Sequence, residues 1–587
     1  MSSKISGLSQ IPHLGISVAI FGVLLIWILY RRGFPKPIPG IPYNGAAMKS
    51  FFGDIPELMQ EIAPDGRLDW VGWTQKLGRS HSSPLFQLFL APYAKPLLVL
   101  TDFRESQDIM VRRKEWDRAD TMIEILSTMI PYHHINQKTD AIWKSQRRLV
   151  QDLMSPNFLH NVATPNTYSG ALNLIELWRL KAQIADGRSF EAEKDIHHAS
   201  LDAVLDFSFG PYFLHRATPP QIQRLKSFSD QQRQEMREKA IDGAIDLGHA
   251  DLNEAVHATL VASIHIEEIQ GLCPGLHWWL RSKLPSEAKL IRIREEYIKK
   301  QFDMAVDRLH EEKYKDKDGY FKGAVDLLVN RERQYAEKEG RSPVFWSSVM
   351  RDEILGSVIA GVDTTSTTIS WGLKFLADNP SEQKKLRSVL REHHKAAVVE
   401  SRLPNIGEIT GLPIPHLDAA VEEILRLATP IPILQRTSNQ DTTLLGHHIP
   451  KGTSIMMMSA GPDFTKPSFE IEESTRHESS RTAVNKQGIR KWDTEDMGLF
   501  KPERWLTEDG DGNLSFNPTA GPTMPFGLGV RACFGKRLGY IQLKTLVTLI
   551  VWNFELLPCP ENLSGYGAFD GLTRRPRQCY VTLRSLD

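Results

Sequence analysis

The sequence predicts a mainly helical protein with small β-sheets, and three stretches carry that expectation. Residues 342–378 read as one long helix: Ser342 stands where a cap is needed, Pro343 suits the first turn, and Asn379-Pro380 closes it. A second helix begins after Pro415, must end before Pro430, and carries Glu423-Ile424-Leu425-Arg426. The third is the apolar run at residues 538–547, which follows a glycine-rich turn.

Composition narrows the partners. Across 587 residues, Lys plus Arg and Asp plus Glu both number 71, and no long block of one sign occurs, so a nucleic-acid partner is not expected. The 4 cysteines, Cys273, Cys533, Cys559 and Cys579, are scattered and share no CxxC spacing. They suggest neither a disulfide framework nor a zinc site, and a reducing compartment is the simpler setting.

The N-terminal residues differ from this average. From Ile5 to Tyr30 no side chain is charged, and residues 11–30 supply an apolar stretch. About 20 such residues cross a ~30 Å hydrocarbon core as a helix. Arg31, Arg32 and Lys36 follow the stretch, against Lys4 alone before it, which orients the bulk of the chain to the cytosol. A cleaved signal peptide would place its charge first and a small-residue cleavage site where these arginines stand. The prolines at 35, 37, 39 and 42 then read as a stiff, extended linker. The expected organisation is an anchor over residues 1–33, a proline-rich linker over 34–48 and a catalytic body over 49–587. Within that body, residues 470–490 (EIEESTRHESSRTAVNKQGIR) show little apolar periodicity and are expected as a surface loop or partly disordered insertion.

The most informative segment is FGLGVRACFG at residues 526–535. Its glycines let the backbone turn tightly and approach a flat ligand, and Cys533 stands just before a helix N-terminus. Amides, the positive helix end and nearby Arg531 favour a thiolate there. The plain reading of a lone cysteine is a buried structural residue, and only the spacing argues otherwise. Residues 527–532 also fit GxGxxA, but Pro522 and Pro525 stand where a dinucleotide fold needs a strand.

FGLGVRACFG resembles the cysteine-ligand loop of the cytochromes P450, with Phe526, Gly527, Arg531, Cys533 and Gly535 in matching order. The resemblance implies the cytochrome P450 fold after one N-terminal transmembrane helix, and haem b with Cys533 as axial ligand to its iron. The thiolate would then favour O–O cleavage, and Arg531 would meet a haem propionate. Three further segments agree. Phe500-Lys501-Pro502-Glu503-Arg504-Trp505 looks like the family segment whose arginine, Arg504, joins Glu423 and Arg426 in a structural triad. Ala360-Gly361-Val362-Asp363-Thr364-Thr365, a helical stretch open to kinking, resembles the segment crossing the distal haem face. There Ala360 and Gly361 would leave room for dioxygen, and Asp363 with Thr364 would deliver protons. In isolation the same small residues would read as a helix crossing. Trp143-Lys144-Ser145-Gln146-Arg147 resembles WxxxR, whose Trp143 and Arg147 share a helix face and can donate to a propionate. Arg436 stands where the family supplies another propionate partner.

The implied activity is that of a monooxygenase, an oxidoreductase inserting one oxygen atom of dioxygen into a lipophilic small molecule. The resemblance points to fungal secondary metabolism and a terpenoid, polyketide or alkaloid intermediate. Residues 354–359, 431–434, 568–573 and the loop after Trp116 are expected to line its pocket. Electrons would come in trans from an NADPH-cytochrome P450 reductase, with cytochrome b5 as an additional donor. The setting would be the endoplasmic reticulum membrane, single-pass, with the body in the cytosol. Two alternatives differ in kind. A haem-thiolate isomerase or peroxide-driven enzyme would keep Cys533 without needing electrons, and the Asp363-Thr364 pair argues against it. A non-enzymatic membrane-anchored haem-binding protein gives that pair no purpose.

Overall fold

The computed structural model describes residues 11–269, 273–310 and 321–586. Helices dominate, and short strands gather into small sheets. Helix α1 (Ile11–Arg32) lies at the N-terminal end, and the helices that build or brace the site are α2 (Phe103–Val111), α3 (Ala141–Val150), α4 (Glu193–Phe209), α5 (Glu254–Glu268), α6 (Ser348–Asp378), α7 (Pro415–Ala428), α8 (Glu478–Gln487) and α9 (Lys536–Asn553). The strands are β1 (Leu85–Leu88), β2 (Leu97–Leu100), β3 (Trp116–Arg118), β4 (Ile433–Ser438), β5 (Ser454–Met458) and the C-terminal hairpin β6 (Ala568–Asp570) and β7 (Arg574–Pro576). The first 5 strands form one sheet in the order β1-β2-β5-β4-β3, with β2 and β5 parallel and the other pairs antiparallel.

Helix α6 is the spine. Its N-terminal half buries Ile354, Leu355, Val358, Ile359 and Val362 beside Leu201, Val204 and Leu205 of α4. Its C-terminal half buries Ile369, Leu373 and Leu376 beside Leu546, Val547 and Ile550 of α9. The helix starts later than the sequence suggested. Ser347, not Ser342, caps it by accepting the Met350 amide at 3.2 Å. The preceding residues are tied instead to Glu332, which accepts from the Val344 amide and pairs with Arg341. The stretch expected to be open to kinking lies within α6, which is helical from Ser348 to Asp378. The Thr364 and Thr368 hydroxyls bond back to the carbonyls of Ala360 and Thr364, at 2.9 and 2.7 Å, and leave the helix unbroken.

Residues 470–490, expected as a surface loop or partly disordered insertion, contain helix α8, which with the turn before it docks on α2. Arg476 forms a bidentate pair with Asp102 at 2.8 Å and reaches Glu105, while the Ser479 hydroxyl donates to Asp108 at 2.6 Å. Ionic and hydroxyl contacts hold this segment, so no apolar stripe announces it. The proline-rich stretch expected as a stiff, extended linker lies against the body: Ile38 and Ile41 are buried, and Gln87 of β1 donates to both of their carbonyls.

The expected transmembrane span gains no support. Among the described residues no helix is long and apolar enough to cross a membrane. Part of the expected span 11–30 falls outside the described side chains, which begin at Ile20 in α1.

Candidate functional site

The cysteine loop is folded against α2 and opens α9. Gly527 and Gly529 have φ of 62° and 71°, in the left-handed region. At Gly529 a Cβ would lie 2.1 Å from the Met110 carbonyl oxygen, so only glycine permits this approach. The Cys533 amide donates to Phe526 O at 2.7 Å and closes the turn. Gly535 is the N-cap of α9, and the amides of Gly535 and Lys536 point at the Cys533 sulfur. Burial nevertheless outweighs these amides and the charges of Arg147 and Lys536, and pushes the thiol up from its ordinary value. The amides act on the sulfur as expected, desolvation opposes them, and the cations that act on it are Arg147 and Lys536 rather than Arg531. Cys533 is nonetheless accessible. A side chain that is both accessible and desolvated faces a recess in the protein rather than bulk water.

Beside the loop lies a cluster of cations. Asp140 caps α3 by accepting the Trp143 amide at 2.9 Å, which sets Trp143 and Arg147 on the helix. The Arg531 guanidinium lies 4.9 Å from the Trp143 ring centre, and Arg147 lies 4.3 Å from that of Phe534. Arg436 on β4 is buried and stands opposite Arg118 on β3. Burial, then the charges of Arg436 and Arg531, pull Arg118 down to about 9, and burial pulls Arg531 down to about 10 despite Asp117. Arg118 Nε and Arg531 Nη1 are buried without a hydrogen-bond partner among the described residues. Clustered arginines with unpaired N–H groups lower their energy by binding an anion. Arg118 escaped the sequence reading because its place depends on strand register, which no local motif encodes.

Next to these arginines, Glu353 of α6 lies 2.7 Å from His134 Nδ1 and 3.4 Å from His133 Nε2. This trio has metal-ligand spacing. Burial pushes Glu353 up to about 7 and both histidines down to about 3, with neighbouring arginines adding to the effect on the imidazoles. The trio stands beside the arginine cluster, where neutral imidazole N–H groups are able to donate to an anion.

Glu423, Arg426 and Arg504 meet in the structure. Arg426 grips both Glu423 oxygens at 2.8 and 2.7 Å, and Arg504 Nε donates at 2.9 Å. The Lys501 amide and Trp505 indole also donate to Glu423, each at 2.9 Å. Arg426 further binds the carbonyls of Phe464 and Met497. The group ties α7 to the segment that leads to the cysteine loop.

On α6, Ala360 is exposed and Thr364 half-buried. Gly361 is half-buried, and its missing side chain also admits α4, since a Cβ there would lie 2.8 Å from Val204. Asp363 is buried and accepts from His197 Nε2 at 2.9 Å, a partner that the motif did not reveal. Burial alone would raise this carboxyl, but His197, helped by Arg575, holds it below its ordinary value. Thr365 bonds Gln542 of α9 at 3.0 Å, which fixes α6 to the helix that Cys533 precedes. One of the segments expected around the substrate reaches α6, and the residue after it meets the residue before another. Thr573 bonds Thr367 at 2.8 Å, and the Arg574 amide donates to Pro430 O at 3.0 Å.

The sequence signature of the Cytochrome P450 family matches residues 74–461 and 498–568. The chain belongs to the cytochrome P450 family. The unmatched interval between those blocks contains α8 and its docking turn. Similar proteins include the cytochrome P450 monooxygenase TRI13 of Fusarium sporotrichioides, 40% identical over 96% of this chain and 98% of that protein. The cytochrome P450 monooxygenase GME11363 of Pestalotiopsis microspora is 38% identical over 98% of each. The Hps1-dma1 cluster cytochrome P450 monooxygenase cyp3.1 of Dothistroma septosporum is 40% identical over 45% of this chain and 86% of its own. This P450 is thus an oxidoreductase of the haem monooxygenase type, a class that draws electrons from redox partners and acts on lipophilic substrates. The residues present fit a haem: a recessed thiol with amides directed at it, a glycine-lined loop, and buried arginines lacking an anion.

Proposed function

We propose that this P450 binds haem b with Cys533 as the axial iron ligand and inserts one oxygen atom of dioxygen into a lipophilic secondary-metabolite intermediate such as a terpenoid, polyketide or alkaloid. The observation that carries the reading is the recessed Cys533 thiol, with the Gly535 and Lys536 amides directed at it, in the electrostatic reach of Arg147 and the arginine cluster. Trp143, Arg147, Arg436 and Arg531, joined by Arg118 and His134, would hold the propionates. Phe526, Gly527 and Gly535 would enclose the sulfur. The bound iron porphyrin supplies dioxygen activation and oxygen transfer. Around it, Ala360 leaves space on the distal side, Thr364 presents a hydroxyl, and Asp363 carries protons. Glu423, Arg426 and Arg504 serve as scaffold.

Electrons would arrive from an NADPH-cytochrome P450 reductase, with cytochrome b5 as an additional donor. A single-pass anchor in the endoplasmic reticulum, body in the cytosol, is supported by the uncharged stretch before Arg31 and by the exposed Phe21, Val23, Ile26 and Trp27 of α1. The test is reconstitution with reductase and NADPH, using a compound that shifts the iron spin state on titration. Thr364→Ala should keep its haem and lose product formation by about 10²-fold. Unchanged product formation would contradict the proton-delivery assignment.

A further inference from the structure

We infer that His197 is a positioning residue that holds Asp363 in its resting orientation and supplies it with protons from solvent. The inference rests on the reading of Asp363 as the proton-carrying acid.

Asp363 is enclosed: its side chain keeps 3% of its accessible surface, whereas His197, bonded to it at 2.9 Å, keeps 20%. A proton bound for Asp363 therefore needs a neighbour that touches both the carboxylate and water. Every charged or polar group facing Asp363 can be weighed. Ser263 on α5 is buried and does not titrate near neutrality. Arg575 on β7 is paired with Glu267. Glu267 on α5 acts on Asp363 through charge, while its own oxygen is taken by Arg575 and the Leu572 amide. On α4, Lys194 and His198 flank His197, and Lys194 is exposed. His197 is the group in direct hydrogen-bond contact with Asp363 that also reaches water, and its ring nitrogens are able to donate and accept a proton.

The second observation concerns Thr364. Its hydroxyl donates to Ala360 O at 2.9 Å, not to Asp363, so acid and alcohol are held apart in this state. Delivery then has two parts. The imidazolium Nε2–H bond breaks and the Asp363 Oδ1–H bond forms, leaving a neutral imidazole protonated at Nδ1. The carboxylic acid turns toward Thr364 and passes its proton on at that hydroxyl, returning to carboxylate, while the freed Nε2 takes a proton from solvent hydronium, which is left as water. No electrons move, and the ring returns to its starting state.

The test uses the full-length haem-loaded protein with reductase and NADPH and no added substrate. Dioxygen consumption is followed from about pH 6 to about pH 9, in H2O and D2O, for wild type, His197→Gln, Asp363→Asn and the double variant. Glutamine keeps an N–H donor but cannot titrate. Each single variant is expected to slow consumption at least tenfold, to flatten the pH profile and to enlarge the solvent isotope effect, with the double variant no slower than Asp363→Asn. A wild-type rate, profile and isotope effect in His197→Gln, with Asp363→Asn impaired, overturns the role of His197 and leaves the acid standing. Wild-type behaviour in Asp363→Asn removes the underlying reading as well. Independently of turnover, the His197 ring-nitrogen NMR signals should move in Asp363→Asn, and unmoved signals would deny the contact.

Discussion

Arg118 stands directly across the β3–β4 ladder from Arg436, so two like charges face each other at the edge of the main sheet. Opposed like charges in a sheet are destabilising. With Arg531 and Arg147 close by and unpaired N–H groups buried, the arrangement makes physical sense as a cradle for a bound dianion.

Replacing Arg118 with leucine should therefore act in opposite directions on the two forms of the protein. The haem-free form should be unchanged or stabilised by up to about 1 kcal/mol, because a repulsion is relieved. The loaded form should lose its haem faster. Thermal unfolding of the haem-free protein and haem transfer to apomyoglobin measure the two effects. Equal destabilisation of both forms would make Arg118 a structural arginine.

The Arg476–Asp102 pair gives α8 a measurable role. Arg476→Ala leaves Asp102 and Glu105 buried without their cation and should cost about 3–5 kcal/mol in urea unfolding. The double variant Asp102→Asn with Arg476→Met should recover most of that loss. A cost below about 1 kcal/mol would place the pair among ordinary surface contacts.

How far the sequence could be read follows from what each feature depends on. The cysteine loop was legible because its geometry is local: left-handed glycines, a tight turn and a helix cap lie within a few residues of one another. The meeting of Glu423, Arg426 and Arg504 was legible only through resemblance, since Arg504 is remote in sequence. Arg118 and His197 were not legible. The first depends on the register of β3 against β4, the second on the packing of α4 against α6, and neither leaves a sequence period. Gly361 and the docked 470–490 segment show the same limit from the other side. A small residue beside a functional motif was serving a helix crossing, and a polar segment without periodicity was ordered by buried ions. The start of α6 was misplaced because Ser342-Pro343 and Ser347 are both plausible caps, and only the pairing of Glu332 with Arg341 and the Val344 amide decides between them.

Buried histidine makes acid sensitivity predictable. Burial pushes His198 down to about 3, while an unfolded chain titrates its histidines near their ordinary value. At pH above that ordinary value the ring is neutral in both states and its contribution is complete. As pH falls from about 6.5 toward about 3 the unfolded chain takes up a proton that the folded chain refuses, so stability drops by up to about 1.4 kcal/mol per pH unit. His198→Leu should reduce the pH slope of unfolding free energy across that window. An identical slope would show that His198 accepts its proton in the folded state.

Asn513-Leu514-Ser515 and Asn562-Leu563-Ser564 match the glycosylation acceptor pattern, and both asparagines are exposed. Neither is shielded, so their state reports the compartment. Mass spectrometry of protein expressed in a fungal host should find both unmodified if the body faces the cytosol. A glycan on either would reverse the proposed orientation.

The most direct test of the central claim is the carbon monoxide difference spectrum of the reduced protein, with Cys533→Ala beside wild type. A red-shifted Soret band present in wild type and lost in the variant is the result expected from haem held by the Cys533 thiolate. Well-folded wild-type protein without haem, or a thiolate signature that survives the substitution, would contradict it.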